Sequence, residues 1–195
     1  MNKKTLVIHP QDPTTDFLKL VYKDKDYTIF DNNIDVVYNY LVMGMDISIK
    51  DLVKNRLMNL IEDHDRIIIM GHGTPYGLLN PQIGGYLVDD SFANILREKE
   101  VISIWCHSDQ YFKRNNIYNN QFHSGMIISE VAEEFFVLGC IPLDKEQILE
   151  NMEKFATIVG ECIEMDHESI KNYILTNYNF DDEVTQYNRQ NILVF

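Results

Sequence analysis

Along the chain, short densely apolar runs alternate with longer segments in which apolar residues recur every three to four positions, so strands should alternate with helices. Lys4 to His9 reads as a first strand closed by Pro10, and Thr14 to Tyr22 as a short helix opened by Thr14 or Thr15. Tyr27 to Phe30 is a second strand, ended by the turn-prone Asp31-Asn32-Asn33. Ile34 to Met43 fits either element. In Ile49 to Glu62, Leu52, Val53, Leu57, Leu60 and Ile61 fall at helical spacing, which predicts a helix laid on a sheet. Arg66 to Gly71 holds Ile67, Ile68, Ile69 and Met70 without alternation. A run of that kind needs apolar cover on both faces, so it should be a central parallel strand.

After a Gly- and Pro-rich loop, Asp90 or Ser91 caps a helix with Phe92, Ile95 and Leu96 inward, and Val101 to Trp105 forms another buried strand ending at Cys106. Strand, helix and strand make a right-handed crossover. The polar stretch from His107 to Gln121 has no period and reads as a long loop, of a length that is usually either functional or disordered. Ser129 to Leu138 should be a helix stopped by Gly139. Asp144 and Gln147 give a capping-box-like start to a helix with Ile148, Leu149, Met152, Phe155, Ala156, Val159 and Ile163 on one stripe. Glu168 to Asn177 is a further helix, and Asn191 to Phe195 a short terminal strand. The fold class is α/β: one domain over residues 1–195 with a mostly parallel central sheet flanked by helices in three layers, and residues 144–195 as a helical C-terminal extension packed on it.

A chain of 195 residues with 45% hydrophobic and 24% charged residues can build one core, which excludes a disordered or fibrous protein. Only 17 Lys and Arg stand against 30 Asp and Glu, a formal charge of -13. Such a surface repels phosphate backbones and anionic lipid, so neither a nucleic acid nor a membrane is an expected partner. Nor does any stretch approach the roughly 18 apolar residues that a span needs. The N-terminal apolar run is too short for a signal peptide. Three widely spaced cysteines, Cys106, Cys140 and Cys162, suit thiols in a reducing compartment. A soluble, cytoplasmic protein of open oligomeric state is the expectation, with Cys140 and Cys162 structural.

Ligands of open parallel sheets bind beyond the carboxyl ends of the strands. Three such ends carry chemistry: His9, Gly71-His72-Gly73 and Cys106-His107. Histidine and cysteine leaving neighbouring parallel strands are the pair that thiol catalysis requires, with Cys106 as nucleophile and His72 as proton carrier. The N–H groups of Gly73 and Cys106 could form an oxyanion hole, worth roughly 3 kcal/mol per donor in other enzymes. His9, Asp12, His107, Ser108 and Asp109 are weaker candidates for contact with a substrate. No element carries metal-ligand spacing, and no metal or cofactor is expected. His64 reads as a helix end, His123 as a loop or surface residue and His167 as exposed. Glu130, Glu133 and Glu134 read as a solvated helix face.

The strand Ile67 to Met70 running into His72-Gly73, followed 34 residues later by the strand Ile102 to Trp105 running into Cys106, resembles the caspase, gingipain and legumain superfamily of cysteine peptidases, CHAT-type members included. Thr74-Pro75-Tyr76-Gly77-Leu78-Leu79 is similar to that family's loop after the histidine. The likeness covers roughly residues 1 to 140. It implies an endopeptidase that acts on a protein or peptide substrate through a His-Cys dyad, and maturation by a cut between Asp109 and Asn120. Trp105 departs from the small residue the family usually places before its cysteine, and His107 from what usually follows it. Two alternatives stand beside this reading: a binding or regulatory domain of the same fold without turnover, and a class-I amidotransferase-like hydrolase, which Cys106-His107 at a strand end also resembles. In the amidotransferase-like case a strand-to-helix elbow would strain the residue after Cys106.

Overall fold

A computed structural model describes residues 3–30, 48–118, 121–139 and 145–194, and of Ile49 the backbone only. Six strands make the main sheet: β1 (Thr5–Ile8), β2 (Thr28–Ile29), β3 (Arg66–Met70), β7 (Glu100–Ile104), β8 (Gln121–Ser124) and β9 (Ile192–Val194). Their order is β2-β1-β3-β7-β8-β9. The first five run parallel, and β9 lies antiparallel on β8. Helices cover both faces of this mostly parallel sheet, giving the three-layer α/β architecture that the sequence pattern called for.

The run of isoleucines in β3 is explained by where its side chains go. Ile67 and Ile69 enter one core with Leu6, Ile8 and Val101. On that face lie α1 (Ile49–Glu62), through Val53, Leu57 and Ile61, and α2 (Ala93–Leu96). Ile68 and Met70 enter the opposite core with Val7, Ile102 and Ile104. Here the cover is the 3-10 helix Asp16–Val21 together with α5 (Lys145–Cys162), through Met152, Phe155 and Val159, and α6 (His167–Asn177), through Ile170 and Ile174. Every β3 residue is buried, and period-two geometry sends its neighbours to opposite layers. Side-chain oxygens begin the helices: Ser48 accepts from Asp51 N–H, and Asp166 from Ser169 N–H.

Several stretches differ from the sequence reading. The Gly- and Pro-rich loop is a three-stranded antiparallel sheet, β4 (Gly73–Thr74), β5 (Gly77–Asn80) and β6 (Gly85–Val88). The expected loop 107–121 is instead α3 (Ser108–Arg114) leading into β8. Its helical signal was short: only Tyr111 and Phe112 bring large apolar groups to the core, while Lys113 and Arg114 lie on its outer side. Arg114 pairs with Asp90 and lies over the Tyr76 ring, so the basic pair belongs to a tethered helix. β8 escaped notice because Gln121, His123 and Ser124 are polar yet fully buried. His123 is therefore no surface residue: it stacks on Phe112 and lies 2.8 Å from Ser103 Oγ. His167 is likewise buried, 3.5 Å from Glu100. α7 (Glu183–Gln190), capped by Asp182, precedes β9. Ile34 to Met43, Cys140 and Asp144 lie outside the described residues.

Candidate functional site

Gly71, with φ of 138°, turns the chain off β3 in a conformation that side chains resist. Gly73 answers a different demand, since a Cβ there would lie 2.0 Å from Trp105 Cδ1. Trp105 swings into the core of Tyr111 and Phe112, and its Nε1–H donates to the Thr74 carbonyl at 3.3 Å. The bulky residue before the cysteine thus packs inside the protein, and Gly73 is the notch that admits it. Met70 and Ile104 are register partners on adjacent strands. His72 and Cys106 each follow two residues later and line one crevice with Thr15, Gly71, Ile127 and Ser129. Its cavity volume is about 20 Å³, room for a single water molecule.

His72 is held from the first strand's exit. Its Nε2 lies 2.6 Å from Thr14 Oγ1, and the Thr14 hydroxyl donates to Asp12 Oδ1 at 2.7 Å. A hydroxyl has one proton, and here it goes to Asp12, so Thr14 accepts from His72 Nε2–H. Nδ1 is thereby left as the basic nitrogen of the neutral ring. Partial burial would raise the Asp12 carboxyl, but hydrogen bonds from the Thr14 side chain and backbone, with the charge of His72, keep it below its ordinary value. Glu130 Oε1 stands 3.7 Å from the same Nε2.

The Cys106 sulfur lies toward Ile127 and Glu133, while the Trp105 indole packs with Tyr111 and Phe112. The sulfur is 3.4 Å from the Ile127 carbonyl and 3.9 Å from Glu133 Oε1, two acceptors within reach of the single thiol proton. Burial first and the Glu133 charge second push the thiol up to about 12, so the resting sulfur is protonated. Glu130 and Glu133 belong to the capping box of α4 (Val131–Leu138). The Ile127 segment is clamped in turn by Asn188 of α7, which accepts from Ile128 N–H at 2.8 Å and donates to its carbonyl at 3.0 Å.

The other residues singled out from the sequence divide by position. His9 is buried, its Nδ1 3.0 Å from the Tyr22 hydroxyl and its Nε2 3.3 Å from Thr15 Oγ1, so both nitrogens are occupied within the fold. Ser108 is fully buried and donates to the Ser124 carbonyl at 2.7 Å. Asp109, also buried, accepts from Lys113 Nζ at 3.3 Å. His107 is half-buried and adopts φ 65°, ψ 29°, the left-handed conformation, immediately before α3. Gly73 pairs with Leu78, while the Leu79 N–H donates to His72 O at 2.8 Å. Position 73 is therefore a non-hydrogen-bonded position, with its N–H aimed away from β5. Sequence reasoning missed Thr14, Glu130 and Glu133 as neighbours of the pair. The glutamates are not a solvated face: Glu134 is buried, and Glu133 Oε2 takes hydrogen bonds from Ser129 N–H, Ser129 Oγ and Glu130 N–H. A Glu three residues after the helix start carried the capping-box signal. Compared with protein-family models, curated proteins and solved structures, the chain matches none of them.

Proposed function

We propose that the protein is a cysteine endopeptidase-like hydrolase, with Cys106 as nucleophile and His72 as general base and acid. One observation carries this reading: two residues beyond a paired Met70 and Ile104, His72 and Cys106 line the same crevice at the carboxyl edge of the sheet. The hydrogen-bonded series Asp12, Thr14, His72 adds support, because it orients the imidazole and fixes its tautomer with the proton on Nε2. As the sulfur attacks the peptide carbonyl carbon, the thiol proton passes to Nδ1 and an S–C bond forms. The Gly73 and Cys106 N–H groups are the candidate donors to the developing oxyanion. The C–N bond then breaks as His72 returns the proton to the departing amine. Water, deprotonated by His72, cleaves the thioester and restores the thiol. A resting thiol near 12 means that proton transfer accompanies attack.

Two other readings each have an observation in their favour. For the amidotransferase-like reading, the residue after Cys106, His107, adopts the left-handed conformation between β7 and α3, the position at which a strand-to-helix elbow would place strain. The narrow crevice and protonated thiol suit a non-catalytic domain of the same fold. Mass spectrometry of a peptide library after incubation separates the three. Cleavage lost in both Cys106→Ala and His72→Ala supports the endopeptidase. Ammonia release from glutamine without peptide cleavage points to the amidotransferase-like enzyme, and no turnover of either substrate to the binding domain.

A further inference from the structure

The first turn of α4 touches both members of the pair. Glu130, its N-cap, brings Oε1 to 3.7 Å from His72 Nε2, and Glu133, three residues on, brings Oε1 to 3.9 Å from Cys106 Sγ. Glu133 cannot simply rotate away, because its other oxygen accepts from Ser129 N–H at 2.8 Å, Ser129 Oγ at 3.0 Å and Glu130 N–H at 3.1 Å. The carboxylate beside the sulfur is therefore fixed by the helix cap. A second negative charge next to it, on a thiolate, would be repelled in a half-buried setting of low effective dielectric.

We propose that Glu133 is a positioning residue that locks Cys106 in its thiol form, and that the first turn of α4 must withdraw before the cysteine reacts. This rests on the reading of Cys106 as the reactive residue. The groups around the sulfur agree with it. From the exit of β3 comes His72, whose Nε2 is occupied by Thr14; from α4 come Glu130 and Glu133; from α7 comes Tyr187, whose hydroxyl is raised by burial and also by Cys106; His107 follows in the chain. Burial acts in the same direction as Glu133. The crevice beside the sulfur, about 20 Å³, is narrow, and Ser129 and Glu133, at the N-terminal end of α4, form part of its surroundings.

The test is alkylation of Cys106 by iodoacetamide, followed by peptide-resolved mass spectrometry between pH 6.5 and 9.5, with buried Cys162 as an internal reference. Glu133→Gln keeps an oxygen for the helix cap and removes the charge. The Cys106 to Cys162 rate ratio at pH 8 should rise about tenfold or more, the equivalent of one pKa unit. Because a thiol near 12 titrates above this window, the gain should appear as a Cys106 rate raised by a similar factor at every pH measured. Glu130→Gln, which faces His72, should leave the ratio within about twofold. An unchanged or lower ratio in Glu133→Gln overturns the proposal, as does an equal rise in Glu130→Gln. Using the ratio removes general loosening of the fold, which would speed both cysteines. No substrate is involved, so a failure of the hydrolase reading and a failure of the Glu133 lock are read from separate experiments.

Discussion

Trp105 fills the space that a side chain at Gly73 would need: a Cβ on Gly73 would stand 2.0 Å from the indole Cδ1. Trp105 is 1% exposed and walled in by Tyr111 and Phe112, so the ring has nowhere to retreat. Gly73→Ala should cost on the order of 1–3 kcal/mol through overpacking. Urea unfolding measures this, and a double-mutant cycle identifies the cause. In a Trp105→Leu background the cost of Gly73→Ala should fall to a few tenths of a kcal/mol. An undiminished cost would mean that backbone conformation, and not the indole, requires glycine here.

Thr14 connects Asp12 to His72, and Thr14→Val removes the hydroxyl at nearly constant volume. The His72 ring should lose its preference for the Nε2–H tautomer, visible in the ring 15N shifts at pH 8. Peptide cleavage, if the proposed activity is present, should fall in kcat by roughly tenfold or more, within what general acid–base catalysis contributes. KM should hardly move. Retention of both the tautomer and the kcat would show that Thr14 does not orient the ring.

Two buried histidines should make the fold sensitive to mild acid. Burial, aided by the charge of Lys19, lowers His9 to about 4, and burial, aided by His167 and Lys113, lowers His123 to about 3. Below the unfolded value near 6.5, the unfolded chain binds protons that the native state refuses. The stabilisation is therefore complete above about pH 6.5 and is lost progressively toward about 4 and about 3. Each histidine contributes a slope of roughly 1.4 kcal/mol per pH unit within that window. Unfolding free energies at pH 6 and pH 5 should differ by up to about 3 kcal/mol. His9→Gln, which can still bond Tyr22 and Thr15, should roughly halve that difference.

At the opposite edge of the sheet, Glu100 of β7 pairs with Arg66 of β3 and with Lys3, and His167 lies 3.5 Å away. Arg66 also donates to the Ile163 carbonyl at 2.9 Å, tying the end of α5 to the sheet. Glu100→Ala leaves the 4%-exposed guanidinium buried without its carboxylate, which should cost about 3–5 kcal/mol. Replacing both partners, Arg66→Met with Glu100→Leu, should recover most of that loss in urea unfolding. Equal losses in the single and double variants would show that the uncompensated guanidinium is not the source of the cost.

Much of the architecture was legible because local pattern and tertiary burial agreed. Ile67 to Met70 announced a strand covered on both faces, Ile49 to Glu62 a helix with one apolar stripe, and Gly71-His72-Gly73 a strand exit. These are consequences of side-chain period and backbone freedom, which a sequence carries outright. β8 and α3 were not legible. Gln121, His123 and Ser124 are polar by composition but buried, and the partners of the last two, Ser103 Oγ and the Trp105 carbonyl, come from β7 and the residue that follows it. Such satisfaction of polar groups exists only once distant segments meet. The same holds at the site. The sequence by itself determined that His72 and Cys106 end adjacent strands. Only the tertiary structure decided that Thr14 reaches back across 58 residues to His72, that Trp105 turns away into the core, and that Glu133 arrives beside the sulfur. A residue's neighbours across the fold depend on how layers pack, and no local period encodes them.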